Sequence, residues 1–258
     1  MPYSMMLDSG HGGSDPGAVY RGRREKDDTL RLTLAVGEIL QENGIEVLYT
    51  RTTDVYLSPY ERAVEANQAG VDFFLSIHRN SYPTDNEVMG VESLIYDLSG
   101  LKYQMAQEIN EQLETVGFVD LGVKARPNLV VLKRTRMPAV LVEAGFINSD
   151  TDNELFDSNF QDIAQAIATG VLDTLENAGV LKEPERRMIS AAKSYHEQMP
   201  SPVQWYSPYS WVTHSCRISW ARSAALVAFF EIFITSASLS RGWFGSGRKA
   251  ASWFPQKR

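Results

Sequence analysis

Along roughly the first 180 residues the apolar positions follow two periods. Short apolar runs alternate with longer stretches in which apolar residues recur every three or four positions. Residues 3–8 form one run, predicting a strand that ends in Asp8. Leu32, Ala35, Val36, Ile39 and Leu40 then fall on the i, i+3, i+4, i+7, i+8 stripe of a core-facing helix over 28–43, stopped by Asn43-Gly44. Ile45 to Thr50 predicts a strand. Ser58-Pro59-Tyr60-Glu61 has the form of a capping box with proline at the first helical position, opening a helix that ends at Gly70. Val71 to Ile77 is nearly all apolar, as a strand covered on both faces is.

Weaker strands are predicted at 91–96 and 128–132. Leu101, Met105, Ile109, Leu113 and Val116 mark a helix between them, and Ala139 to Val142 a short buried strand. A last helix opens at Ser158, with Phe160, Ile163, Ile167, Val171 and Leu175 facing inward, and ends at Gly179. Strands alternating with helices predict an α/β fold, a twisted, mostly parallel sheet with helices on both faces. Beyond about residue 181 neither period persists, which divides the chain into a domain at 1–180 and a linker with a basic, Trp-rich, irregular tail at 181–258.

The charge follows the same division. The whole chain of 258 residues has a net charge of −7, but residues 1–180 hold 14 Lys+Arg against 28 Asp+Glu, and residues 181–258 hold 11 against 4. All five Trp and the single Cys, Cys216, lie in the second part. One cysteine excludes a disulfide framework and a multi-thiolate zinc site, and the acidity argues against nucleic acid as a partner. The opening residues carry no recognisable export signal. The most apolar run, Ala224 to Ile234, is too short for an integral membrane span and is interrupted by Glu231.

Two of the four histidines stand where open α/β sheets place functional side chains, outside the carboxyl ends of strands. His11 lies in Asp8-Ser9-Gly10-His11-Gly12-Gly13 after the first strand, and His78 in Ser76-Ile77-His78-Arg79-Asn80. Glu143 follows the buried strand at 139–142, and Glu25 sits in the loop before the first helix. Two imidazoles and one carboxylate suit Zn²⁺, with a fourth position for water, and a second carboxylate beside it can act as general base. The same residues also fit structural histidines that end strands with ordinary hydrogen bonds.

Four segments taken together resemble the zinc-dependent N-acetylmuramoyl-L-alanine amidase family (Amidase_3 type): Asp8–Ala18 (DSGHGGSDPGA), Arg24-Glu25-Lys26, Ser76–Asn80 (SIHRN), and Met137–Phe146 (MPAVLVEAGF). Arg51–Asp54 and Glu61–Asn67 also look familial, and the resemblance covers about residues 3–178. It implies a phosphorylase/hydrolase-like α/β domain that binds one zinc ion through His11, Glu25 and His78, with Glu143 as the catalytic carboxylate. The implied reaction is hydrolysis of the amide between N-acetylmuramic acid and L-alanine in peptidoglycan, as in autolysins and endolysins. It implies action on the bacterial cell wall. With no export signal seen, the expectation is a monomer made in the cytoplasm and released by lysis or another route, or one with an upstream signal outside this sequence.

Ser9 and Arg79 depart from the family pattern; Arg79 either helps hold substrate carboxylates or the oxyanion or, favoured by alternation along a strand, points away from the site. Asp8 either orients His11 or merely ends its strand. Two rival functions fit the same residues: a zinc peptidase cutting within stem peptides, and a catalytically silent wall-binding protein. The tail reads as a wall-binding module, a membrane-surface segment or, favoured by its abrupt composition, an out-of-frame extension.

Overall fold

The computed structural model describes residues 3–179. The expectations for the tail, including the Ala224 to Ile234 run, lie outside the described residues. In chain order, β1 (Ser4–Ser9) leads through a Gly-rich loop to the small hairpin of β2 (Val19–Tyr20) and β3 (Arg23–Arg24). Arg21 and Gly22 turn this hairpin with positive φ at both positions, as a two-residue turn between right-twisted strands requires. α1 (Glu25–Glu42), β4 (Glu46–Tyr49), α2 (Pro59–Ala69) and β5 (Phe73–Asn80) follow, then β6 (Val91–Ile95), α3 (Gly100–Val116) and β7 (Asp120–Ala125). The described part closes with α4 (Val130–Arg134), β8 (Ala139–Phe146), α5 (Asp150–Ser158) and α6 (Phe160–Asn177).

Six strands form one sheet in the order β4-β1-β5-β8-β6-β7. β4, β1, β5 and β8 run parallel, and β6 is antiparallel to β8 while parallel to β7. This is the expected mostly parallel α/β architecture. Leu32 and Val36 of α1, Ile109 and Leu113 of α3 and Ile167 and Val171 of α6 share one core with Met5, Leu7 and Val142 on one face of the sheet. On the other face Ala66 of α2 and Val131 and Leu132 of α4 cover Met6, Phe74 and Leu141. Alternation places His78 and Glu143 on this second face, with Phe74 and Leu141. They lie side by side in the register of β5 and β8.

Local chemistry explains why α2 begins and ends as predicted. Ser58 Oγ accepts the Glu61 amide, Glu61 Oε2 accepts the Ser58 amide, and Gly70 takes the left-handed conformation at the C-cap.

Several expectations are corrected. Glu143 and His78 lie within β8 and β5, which continue past them, rather than after strand ends. Glu25 is the first residue of α1, not part of a loop. The segment 128–132 is not a strand: Val130–Arg134 is a short helix in which Thr135 Oγ1 donates to the Val131 carbonyl. The edge strand at 120–125 and helix α5 were not foreseen. β7 is only part-buried along its length, and α5 buries only Asp152 and Phe156, so neither displays an apolar period. Among the described residues, no helix is long and apolar enough to cross a membrane.

Candidate metal centre

His11, Glu25 and His78 converge although they come from a loop, a helix start and a strand. After β1 the chain bends so tightly that His11 adopts φ 61°, a conformation uncommon outside glycine. Paired amides and carbonyls of Gly12 and Asp15 close this bend at 2.9 and 3.0 Å. Asp15 Oδ2 then lies 2.8 Å from His11 Nδ1, while its Oδ1 accepts the Gly17 amide. The other ring nitrogen, His11 Nε2, is left facing Glu25 Oε2 at 3.1 Å. Glu25 Oε1 lies 2.9 Å from His78 Nδ1. The Ala18 and Arg79 amides donate to the two Glu25 oxygens, which fixes the carboxylate between the imidazoles.

Glycines shape the space. A Cβ on Gly10 would lie 2.4 Å from His78 Cε1, and one on Gly17 would lie 2.6 Å from Glu25 Oε2 and 2.7 Å from His11 Cδ2. Gly10→Ala must therefore push the His78 ring aside. We expect that variant to keep its fold and to lose at least about tenfold in zinc affinity, on the scale of disturbed ligand support. A competition titration against a zinc chelator reads the change, and parental affinity would show that the glycine is not needed.

Two buried arginines hold the loop that carries His11. Arg62 donates to Asp8 Oδ1 at 2.7 Å and to the carbonyls of Ser9 and His11. Arg51 donates to the carbonyls of Ser9, Gly10 and Lys26. Asp8 is fully buried and binds Thr50, Arg62 and Ser76. Its hydrogen bonds brace the strand, and the partner of His11 is Asp15. Sequence reasoning did not single out Arg51, Arg62 or Asp15 for these tasks. The signal for the arginines was their place in the two supporting segments.

Arg79 points away from His78, as alternation requires. It is 2% exposed and donates to Asp28 Oδ2 at 2.8 Å, Asn153 Oδ1 at 2.9 Å and the Phe146 carbonyl, with its guanidinium 4.2 Å from the Phe156 ring centre. Arg23 reaches the same Asp28 oxygen at 2.5 Å and grips Asp157 with both terminal nitrogens. This charge chain ties the start of α1 to β5 and, through Asn153 and Asp157, to α5.

The electrostatics divide the four candidates. Burial pushes the Glu25 carboxyl up, but the His11 and His78 hydrogen bonds outweigh it and hold the group well below the usual range. Burial lowers the His11 imidazole, yet Glu25 and Asp15 carry it up to about 9. His78 is likewise lowered by burial and raised on balance by Glu25. Glu143 differs: burial raises it to about 7, with Glu25 and Glu92 adding and His78 opposing. Its Oε2 is buried with no hydrogen-bond partner.

These shifts make the stability of the metal-free protein depend on pH. The His11 contribution is complete below its ordinary value of 6.5 and is lost as pH rises through about 9. The Glu25 contribution is present above its ordinary 4.5 and is lost well below it. Glu143, raised from 4.5, favours folding below that value and ceases to do so as pH passes about 7. Chelator-treated protein should therefore be most stable near pH 4.5 and melt progressively lower toward pH 9, first as Glu143 ionises and then as His11 loses its proton. A flat melting temperature above pH 6.5 would refute this.

The three ligand atoms of His11, Glu25 and His78 lie within 4.8 Å of one another, and the group can hold a metal ion. The donor set fits zinc, with two imidazoles, one carboxylate and room for a fourth ligand. The unpartnered Glu143 oxygen next to His78 fits a proton acceptor for that fourth position. A cavity of about 260 Å³ lined by His11, His78, Leu57, Arg62 and Leu129 gives access.

Residues 5–173 match the family model described as N-acetylmuramoyl-L-alanine amidase. The chain belongs to this amidase family. It is 41% identical over 184 residues to the sporulation-specific N-acetylmuramoyl-L-alanine amidase of Bacillus subtilis strain 168, covering 69% of each chain. It is 35% identical over 179 residues to the endolysin of Bacillus phage SPP1, covering 66% of this chain and 65% of the endolysin. The chain thus matches about two thirds of the length of these relatives. The solved N-acetylmuramoyl-L-alanine amidase of Clostridium difficile 630 superposes with a TM-score of 0.64 at 32% identity, over 68% of this chain and 97% of that one. Amidases of this family are peptidoglycan hydrolases, and the chain is an enzyme of that class with the family's α/β fold.

Proposed function

We propose that this chain hydrolyses the amide joining N-acetylmuramic acid to L-alanine with one zinc ion held by His11 Nε2, Glu25 and His78 Nδ1. Glu143 is the proton-transfer residue. The observation that carries the assignment is the buried, unpartnered Glu143 oxygen beside a His-Glu-His group, its carboxyl poised at about 7. When bound, the ion supplies Lewis acidity, which brings the pKa of water from about 15.7 toward about 7 and polarises the scissile carbonyl.

The chain's own residues do the rest. Asp15 holds His11 Nδ1, so that Nε2 is the nitrogen offered to the ion. The Ala18 and Arg79 amides keep Glu25 from turning. Glu143 takes a proton from water as it attacks the carbonyl carbon, then returns it to the departing L-alanine nitrogen. A group poised near neutral pH serves both transfers. All these residues come from one polypeptide, so the proposal needs no second subunit and we place the enzyme at the cell wall as a monomer.

The catalytic domain is assigned to residues 1–180 and the remaining 78 residues to a separate tail. Protein truncated after residue 182 should keep its fold and zinc-dependent activity. For the site itself, metal analysis tests the assignment: one zinc per chain in the parent and a stoichiometric loss in His78→Ala support it. Undiminished zinc in that variant overturns it.

A further inference from the structure

The described residues contain 14 lysines and arginines. Nine of them meet a carboxylate, and Arg51 is buried against carbonyls. The four that remain are Arg126, Lys133, Arg134 and Arg136. They fall within eleven residues of chain, are all exposed, and have no carboxylate partner among the described residues. No acidic residue occurs between Asp120 and Glu143.

The backbone under these cations is pinned. Asn67 of α2 donates to the Arg134 carbonyl at 2.8 Å and accepts the Arg136 amide at 2.9 Å. The segment also lines two cavities, one beside the metal site and one at the start of β8 between α4 and the start of α3. Asn128, Leu129 and Val131 line the cavity that contains His11 and His78. Lys133 and Arg136 line a second cavity of about 440 Å³ next to Ala139, at the start of β8, where Lys102 is already paired with Asp97 of the same lining. Ala139, Leu141 and Glu143 alternate onto one face, so the second cavity lies about 13 Å from Glu143 along the strand, at about 3.3 Å per residue. Val131 and Leu132 of α4 cover that stretch of β8, so a peptide joining the two cavities passes over α4 and its exposed cations, and about 13 Å is the least span it must cover, about four extended residues.

We propose that residues 126–136 are the docking surface for the acidic stem peptide of the substrate, whose carboxylates lie along Arg126, Lys133, Arg134 and Arg136 while its amino-terminal amide sits at Glu143. The proposal rests on the amidase reading above and names the part of the substrate that the enzyme holds. It follows from charge complementarity, from the pinned backbone and from continuity with the metal-site cavity. Exposed pairs are individually weak and are screened by salt, so the four cations must be tested together.

The experiment compares the parent with the variant combining Arg126→Gln, Lys133→Gln, Arg134→Gln and Arg136→Gln. Each is given a soluble muramoyl peptide with free carboxylates and the same compound with its carboxyls converted to amides, at low and high salt. The parent KM should rise about tenfold on amidation and also with salt. The variant KM should be high for both substrates and indifferent to salt. Equal sensitivity of parent and variant to amidation, or a parent that does not distinguish the substrates, would overturn the proposal. So would inhibition of the parent alone by a glycerol phosphate polymer with no effect of amidation, which would make this a phosphate-polymer surface. Failure of the amidase reading shows differently: the parent then exposes no new L-alanine amine from either substrate. Calorimetric binding of the free acidic peptide to the zinc-loaded protein, lost in the variant, reads docking without hydrolysis.

Discussion

Replacing Glu143 by Gln is expected to lower kcat by about 10²–10⁴ while leaving zinc content at one per chain. The residue is paired in register with His78 on the neighbouring strand, and one of its oxygens is buried without a partner. Gln preserves the shape of the side chain but neither accepts nor returns a proton. Because burial already holds the carboxyl up at about 7, removing its charge should not weaken the fold, and the melting temperature should stay level or rise. Steady-state kinetics, metal analysis and thermal melting of one preparation check all three. A Glu143→Gln protein that cleaves as fast as the parent would remove Glu143 from the reaction.

The second large effect is expected at a residue that never faces the substrate. Arg79→Met should destabilise the protein by about 3–5 kcal/mol, the range for breaking a buried ion pair by removing one partner. Asp28 keeps its bond to Arg23 in that variant, which places the loss toward the lower end. The chain of Arg79, Asp28 and Arg23 also braces the start of α1, where Glu25 stands between the two histidines. Zinc affinity should therefore fall with stability, and Arg79→Lys should recover only part of either, because a single ammonium does not reproduce the guanidinium's fork to Asp28 and Asn153. Denaturant titration and zinc competition measure the two quantities. A change of less than about 1 kcal/mol would show that the charge chain is dispensable.

What the sequence made legible follows from how local each signal is. α2 could be read from Ser58, Pro59, Glu61 and Gly70 because its caps bond within a few residues. α6 and α1 could be read from long apolar stripes. β8 was read too short because Glu143 interrupts its apolar run, and the polar residue there is part of the strand. Val130-Val131-Leu132 suggests a strand by composition, whereas one hydrogen bond from Thr135 and the Asn67 contacts just beyond the segment hold a helical turn and its exit.

The candidate site shows the same division. His11, His78 and Glu143 stood near predicted strand ends and Glu25 just before a helix, and the fold brings them together. Their supports were not legible. Arg62 reaches Asp8 across 54 residues, Arg51 reaches Ser9 across 42, and Arg79 reaches Asn153 across 74. Such partnerships exist only once the strands have assembled.

The central claim is zinc-dependent cleavage at one particular amide. Its most direct test is mass analysis of purified peptidoglycan digested by chelator-treated protein, before and after one equivalent of zinc is restored. The account predicts intact stem peptides with a newly free L-alanine amine, appearing only after zinc is added. Fragments cut within the stem peptide, or the same release without metal, would contradict it.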